Sequence, residues 1–154
     1  MTLEPDAAAL LRCCGSSAWA EQVAAQGPYA DLADLVESGR RIWWELPPPD
    51  WREAFGTHPR IGDRPPVGTQ ERSEQSGVEQ APAEVLAALA EGNARYEQAF
   101  GMTYVVRASG RSADQLLGLL RERLDNDPAT ELAVAAGQQW EITGLRLAQA
   151  FGAP

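Results

Sequence analysis

The chain has 154 residues, 44% of them hydrophobic, which is the size and composition of one compact domain spanning residues 1–154. Its 22 acidic and 13 basic residues give a formal charge of -9, which opposes a phosphate backbone and excludes nucleic acid as the expected partner. An anionic small molecule would need a locally positive pocket, so individual arginines become candidates for its binding site.

Apolar residues at intervals of three to four, together with capping residues, predict a series of helices. In chain order these cover 5–14, a second helix capped by Ser16 or Ser17, 29–46, 51–55 with Asp50 as N-cap, a short helix within 71–80, 82–100, Ser112 to about 125, and 127 or 128 to 151. Between them, 56–68 is too rich in Gly and Pro for regular structure, and 102–107 is one extended run without a partner strand. The sequence therefore predicts an all-α fold, a single-domain irregular helical bundle of six or more helices.

The last predicted helix carries a polar ridge within its apolar side. At 100° per residue, the apolar side consists of Leu132, Ala135, Ala136, Ile142, Leu147 and Ala150. Arg146 lies within this arc, and Gln139 and Thr143 share its stripe. Two interpretations stay open: an arginine that faces the interior, or one that reaches water near the helix end.

The sequence lacks the residues that several classes of functional site require. Cys13 and Cys14 are adjacent, so we interpret them as small apolar residues packed on the first helix rather than as a disulfide. A single histidine with no organised Cys or carboxylate cluster makes a zinc site poor. The motifs of serine hydrolases, P-loop proteins and dinucleotide-binding folds are absent. The sequence shows no signal segment or membrane-spanning run, and a cytoplasmic location is expected.

His58, the only histidine, is the candidate for moving a proton near neutral pH. It precedes a proline in a loop with nearby glycines, which restricts its backbone and allows close approach of a ligand. A lone loop histidine is also often an ordinary surface residue. Three tryptophans flank the approach to it, Trp43, Trp44 and Trp51, although tryptophans more often belong to the core.

The segment around His58, FGTHPRIGD, resembles the signature loop of the OHCU decarboxylase family, where OHCU is 2-oxo-4-hydroxy-4-carboxy-5-ureidoimidazoline. Further segments resemble that family in order along nearly the whole chain: CCGSSAWAEQVAAQGPY, PPPDWREAF, SEQSGV, NARYEQAFGMTYVVRASGRS, RERLDNDPATEL and EITGLRL. The resemblance implies a cofactor-free enzyme of urate degradation that converts OHCU to (S)-allantoin and CO2. A homodimer is also implied.

The resemblance implies roles for six residues. His58 corresponds to the catalytic histidine and Glu74 to the acid paired with it. Substrate contacts are implied for Pro59, which holds the loop geometry, Gln75, Val106 through its main chain, and Arg146. One departure is that family members often have a serine three residues before the acid, where this chain has Glu71; Ser73 and Ser76 are weak candidates to replace it.

Two other functions remain as alternatives at this stage. A non-catalytic helical module would use the tryptophans and the acidic surface to hold a protein partner. A related lyase would act on another ureide or oxidised purine. The enzyme hypothesis requires no metal or cofactor, because the substrate itself can delocalise the electron pair that CO2 leaves behind.

Overall fold

The computed structural model describes residues 2–152, and within them the fold is all α-helical, as predicted. Two isolated β-bridges, Leu3 with Tyr29 and Ile61 with Asp63, are the only β pairing in this range. Residues 2–152 form eight α-helices, and a short 3₁₀ helix, Ser76–Val78, follows the fifth. The α-helices are Ala7–Cys13 (α1), Ser17–Gln26 (α2), Leu32–Glu45 (α3), Pro48–Phe55 (α4), Gln70–Glu74 (α5), Ala83–Phe100 (α6), Ala113–Arg123 (α7) and Pro128–Phe151 (α8).

Side-chain caps set where most of these helices begin. The Ser16 hydroxyl accepts a hydrogen bond from Trp19 N, and Ser112 forms the predicted capping box with Gln115. The prediction that Asp50 caps a helix over 51–55 is wrong, because α4 begins at Pro48 and Asp50 lies inside its first turn. Proline fits the first helical positions, where no backbone N–H is needed.

The described residues divide into two compact units. The first unit is formed by residues 2–57 and 139–152, and the second by His58–Gln138. The unit boundary falls inside helix α8, between residues 138 and 139. The single domain over residues 1–154 stays a prediction.

Tryptophans form much of the core of the first unit. Trp19 and Trp43 are fully buried, and the Trp19 indole N–H donates to the Gly39 carbonyl at 2.9 Å. A Cβ at Gly39 would lie 3.2 Å from ring atoms of both Trp19 and Trp140, which is closer than most Cβ contacts, so a side chain there would require these rings to shift slightly. These tryptophans therefore act as core residues, whereas Trp44 is 41% exposed.

The second unit has its own apolar core, formed by helices α6 and α7 and the segments beside them. Its fully buried members include Leu89, Tyr96, Leu116 and Leu120. Gly92 of α6 permits the two helices to approach, since a Cβ there would lie 2.5 Å from a Leu120 methyl carbon.

Helix α8 buries most of the arc predicted for it. Ala135, Ala136 and Leu147 are fully buried and Ile142 nearly so, whereas Leu132 is half-buried. The prediction fails at Ala150, which is exposed in the last turn. No helix within residues 2–152 combines the length and apolar character needed to cross a membrane.

A buried ion pair joins α7 to α8 within the second unit. The Arg123 Nη2 and Nε atoms donate to one carboxylate oxygen of Glu131 at 2.5 and 2.8 Å, and neither side chain is more than 7% exposed. Tyr96 and Asn126 also donate to this carboxylate. Burial raises the pKa of Tyr96, which keeps its hydroxyl protonated as a donor. The group is thus a closed polar network inside the core.

We expect Glu131→Gln to lower the free energy of unfolding by about 3–5 kcal/mol, because it leaves the Arg123 guanidinium buried without its counter-charge. Urea denaturation monitored by circular dichroism measures this loss. The matched control is Glu122→Gln, which makes the same change at an exposed position of α7. Equal stabilities for the two variants would contradict the structural role of the ion pair.

Candidate active site

His58 lies in the loop of residues 56–69 that follows α4, and this loop contains no helix. The side chains of His58 and Pro59 are half-buried, and Ile61 inserts into the core of the second unit. Gly62 has a φ of +98°, a left-handed conformation that favours glycine, and it turns the chain directly after Ile61. The loop is therefore structured although it forms no helix or strand, and it carries the only histidine of the sequence.

Gln75 and Asn93 hold this loop by its main chain. The Gln75 amide donates to the Arg60 carbonyl at 3.2 Å and accepts from the Gly62 N–H at 3.0 Å. The Asn93 amide donates to the Ile61 carbonyl at 2.9 Å. Gln75 is 5% exposed and Asn93 2%, so both amides act in the interior of the second unit.

Glu74 is the last residue of α5, where its side chain is half-buried directly before Gln75. Thr69 caps this short helix by accepting from Arg72 N. Ser73 and Ser76 are exposed, and Glu71, at the position of the family serine, is half-buried. Replacement of the family hydroxyl by Ser73 or Ser76 stays a prediction.

Val106 lies in the extended segment after α6 and is 4% exposed. Its neighbours on both sides are anchored: Arg123 Nη1 donates to the Val105 carbonyl at 2.6 Å, and Arg107 N donates to the Gln138 side chain at 3.0 Å. Val106 also lines a cavity of about 310 Å³ together with Arg111 and Arg123. The main chain at Val106 is thus held in place by the residues around it.

Arg146 lies in the part of α8 that belongs to the first unit. It is 5% exposed, so the interpretation of an arginine that reaches water is wrong and the inward orientation is confirmed. Burial raises the pKa of the Cys14 thiol to about 12, while the positive charge of Arg146 acts in the opposite direction. Gln139 and Thr143, also buried, hydrogen-bond to each other along the same ridge at 3.1 Å.

The six predicted site residues fall into the two units. His58, Pro59, Glu74, Gln75 and Val106 belong to the second unit, and Arg146 belongs to the first. Within residues 2–152, no three His, Cys, Asp or Glu side chains lie close enough together to bind a metal ion.

Sequence reasoning missed the residues that hold the site segments. It gave no role to Asn93, Arg123 or Gln138, which bind the main chain at Ile61, Val105 and Arg107. A signal existed for Asn93, because asparagine is a poor residue for the interior of a helix and this one lies within α6. Nothing comparable marked the other two in the sequence.

The sequence model of the OHCU decarboxylase family matches residues 1–148. A curated relative from Arabidopsis thaliana, the uric acid degradation bifunctional protein TTL, is 38% identical over 147 residues, which are 90% of this chain and 45% of that protein. The chain thus spans less than half the length of that relative. The 2-oxo-4-hydroxy-4-carboxy-5-ureidoimidazoline decarboxylase of Amia calva is 29% identical over 133 residues, 82% of this chain and 76% of the relative.

Two solved structures share the fold. The crystal structure of OHCU decarboxylase in the presence of (S)-allantoin superposes with a TM-score of 0.83 at 35% identity, and the match covers 93% of this chain and 96% of that one. The crystal structure of (S)-allantoin synthase has a TM-score of 0.71 at 17% identity, over 94% of this chain and 49% of that one, which supports the fold alone.

Proposed function

This chain belongs to the OHCU decarboxylase family, and we propose that it converts OHCU to (S)-allantoin and CO2. The observation that carries the proposal is the match to OHCU decarboxylase, which covers 93% of this chain and 96% of that structure. Family membership favours an enzyme over the alternative of a non-catalytic binding module.

The substrate itself can accept the electron pair that the departing carboxyl group leaves behind. The bond between C4 and the carboxylate breaks, its electron pair forms a C4–C5 double bond, and the electrons of the adjacent C=N bond move to nitrogen, which takes up a proton. The C4 hydroxyl then loses its proton and becomes a carbonyl, while C5 gains a proton. The product is allantoin, and it is a single enantiomer only if that last proton arrives on one face.

In the proposed mechanism, His58 exchanges a proton with the C4 hydroxyl, and Glu74 fixes the imidazole tautomer or shares the proton. Arg146 binds the substrate's anionic oxygens through its planar fork of donors. Val106 binds ring or ureido amides through its main chain, supported by the anchoring of Val105 and Arg107. Pro59 restricts the loop, and the second N–H of the Gln75 amide contacts the ring.

The experiment that tests this function generates OHCU in situ from urate and follows its disappearance. The expected result is an OHCU decay rate that rises in proportion to the concentration of this protein, with an equal amount of CO2 released. If the decay rate does not depend on the protein, the proposed function is wrong.

We expect Arg146→Lys to weaken binding of an allantoin-like inhibitor roughly 10- to 100-fold, the worth of one hydrogen bond to a charged group. Lysine keeps the charge but cannot reproduce the bidentate fork. Arg146→Met keeps much of the volume and is expected to give a folded protein with poor affinity. Calorimetric titration measures both, with the exposed Arg121→Lys as control. Unchanged affinity together with a lower melting temperature would show that Arg146 is structural.

Activity is expected to survive exhaustive chelation and dialysis, because the electron sink belongs to the substrate. The measurement compares the OHCU decay rate before and after treatment with a chelator. Restoration of a lost rate by one added metal ion would overturn this part of the proposal.

We also propose that the protein works as a homodimer and in the cytoplasm, as the resemblance and the sequence imply. Sedimentation equilibrium tests the first point, and fractionation of the source cells tests the second. A monomeric protein with full activity would show that the proposed homodimer is wrong.

A further inference from the structure

Two buried carboxamides bind three successive residues of the loop that carries His58. Gln75 binds the Arg60 carbonyl and the Gly62 N–H, and Asn93 binds the Ile61 carbonyl. From this arrangement we propose that Gln75 and Asn93 are positioning residues, which fix the direction of the His58 imidazole for proton transfer. The inference rests on the proposed function and assigns it a support that the family roles above do not include.

The orientation of Gln75 is determined by its two bonds. Its amide nitrogen faces a carbonyl and its amide oxygen faces an N–H, so a half-turn of the amide would oppose oxygen to oxygen and N–H to N–H. At 5% exposure, water cannot readily replace either bond. Gln75 therefore holds the loop in one register.

Asn93 supports the loop between the two Gln75 contacts. Its Nδ2 atom donates to the Ile61 carbonyl, whereas its Oδ1 atom is buried without a hydrogen-bond partner among the described residues. Burying a half-satisfied amide is unfavourable, so an apolar residue would fit this helix position at lower cost. The hydrogen bond to Ile61 is therefore the favourable interaction that asparagine makes at this position and an apolar residue would not.

The anchored residues lie close enough along the chain to control His58. The ring of Pro59 fixes its own φ and restricts the backbone of the residue before it, so few torsions remain free between His58 and Arg60. Holding residues 60–62 therefore fixes the direction in which the His58 Cβ leaves the backbone. Gln75 also follows Glu74 directly, so the same amide ties the segment bearing the acid to the loop bearing the histidine.

Three variants remove these bonds in different ways. Gln75→Glu keeps an acceptor for Gly62 but replaces the donor to Arg60, Gln75→Met keeps the volume without either bond, and Asn93→Ser shortens the side chain away from Ile61. Gln80→Glu and Gln98→Glu are matched controls, because each changes an exposed amide, the second of them on α6 itself.

The first readout is kinetic. We expect kcat to fall by roughly 10²-fold in the three variants, since a misplacement of about 1 Å has that effect. KM should stay within about threefold for Asn93→Ser, because Asn93 is assigned no contact with the substrate. The two Gln75 variants also lose the proposed contact of its amide with the ring, so their KM is expected to rise as well. The controls should match the wild type. A folded Gln75→Met protein with wild-type kcat would overturn the proposal.

The second readout needs no substrate. His58 is the only histidine, so one imidazole Cε1–H resonance in the proton NMR spectrum reports on it alone. We expect the three variants to shift this resonance and its pH titration, and the controls to leave both unchanged. Variants with lower melting temperatures but an unchanged His58 titration would show a merely structural role. An inactive wild type would disprove the proposed function, while this measurement would still decide whether the amides position His58.

Discussion

His58→Ala is expected to lower the decarboxylation rate by about 10⁴-fold, the upper end of the range for general acid–base catalysis. The chain has no other histidine that could take over proton transfer near neutral pH. The side chain is half-buried on a loop whose anchors are main-chain groups of later residues, so its removal should leave the fold intact. Initial rates of OHCU loss, corrected for the spontaneous reaction, measure the effect.

The control for this variant is its own melting temperature, which should match that of the wild type. If His58→Ala is folded and retains the wild-type rate, the proton-transfer mechanism is wrong. Added imidazole offers a second check, because it can enter the space left by the side chain and restore part of the rate.

Glu74→Gln should lower kcat by about 10²–10⁴-fold, because the amide keeps the shape of the acid but cannot share a proton with His58. Glu74 is half-buried at the end of α5, and glutamine has nearly the same volume, so the substitution should fit this position. Steady-state kinetics separate the expected loss of kcat from any change of KM.

Glu84→Gln, at an exposed position in the first turn of α6, is the matched control for this change. It should behave as the wild type. A Glu74→Gln enzyme within about twofold of the wild type would leave Glu74 with a structural role only, since acid–base partners contribute far more.

Local sequence patterns predicted much of the fold. The capping pair Ser112 and Gln115 lies three residues apart, and the predicted box forms as read from the sequence. The helical period placed Arg146 among buried residues, and its burial confirms that reading. These features depend on neighbours within one or two helical turns, which is the range that a sequence pattern describes.

The errors come from ends of helices. The sequence PPPD allowed a helix to start either at Pro48 or after Asp50, and local capping rules fit both. Ala150 continues the apolar arc but lies in the last turn of α8, where it is exposed. A helical wheel gives the direction in which a side chain points. It does not show how far along the helix other parts of the fold cover that side.

The residues that hold the loop of the candidate site could not be predicted from sequence patterns, for a different reason. Gln75 and Asn93 bind loop residues that are 13 to 32 positions away along the chain. A bond from a side chain to the main chain requires no particular residue type at the accepting position, so it leaves no pair signature in one sequence. The roles of the six site residues came from resemblance to a family, and they remain proposals.

The handedness of the allantoin formed tests the central claim most directly, since only a bound intermediate protonated on one face gives a single enantiomer. OHCU is generated from urate with and without the protein, and circular dichroism follows the product. The account predicts rapid appearance of the (S)-allantoin signal with the wild-type protein and a slow, nearly racemic product with His58→Ala. Racemic allantoin formed at the spontaneous rate in the presence of the wild-type protein would contradict it.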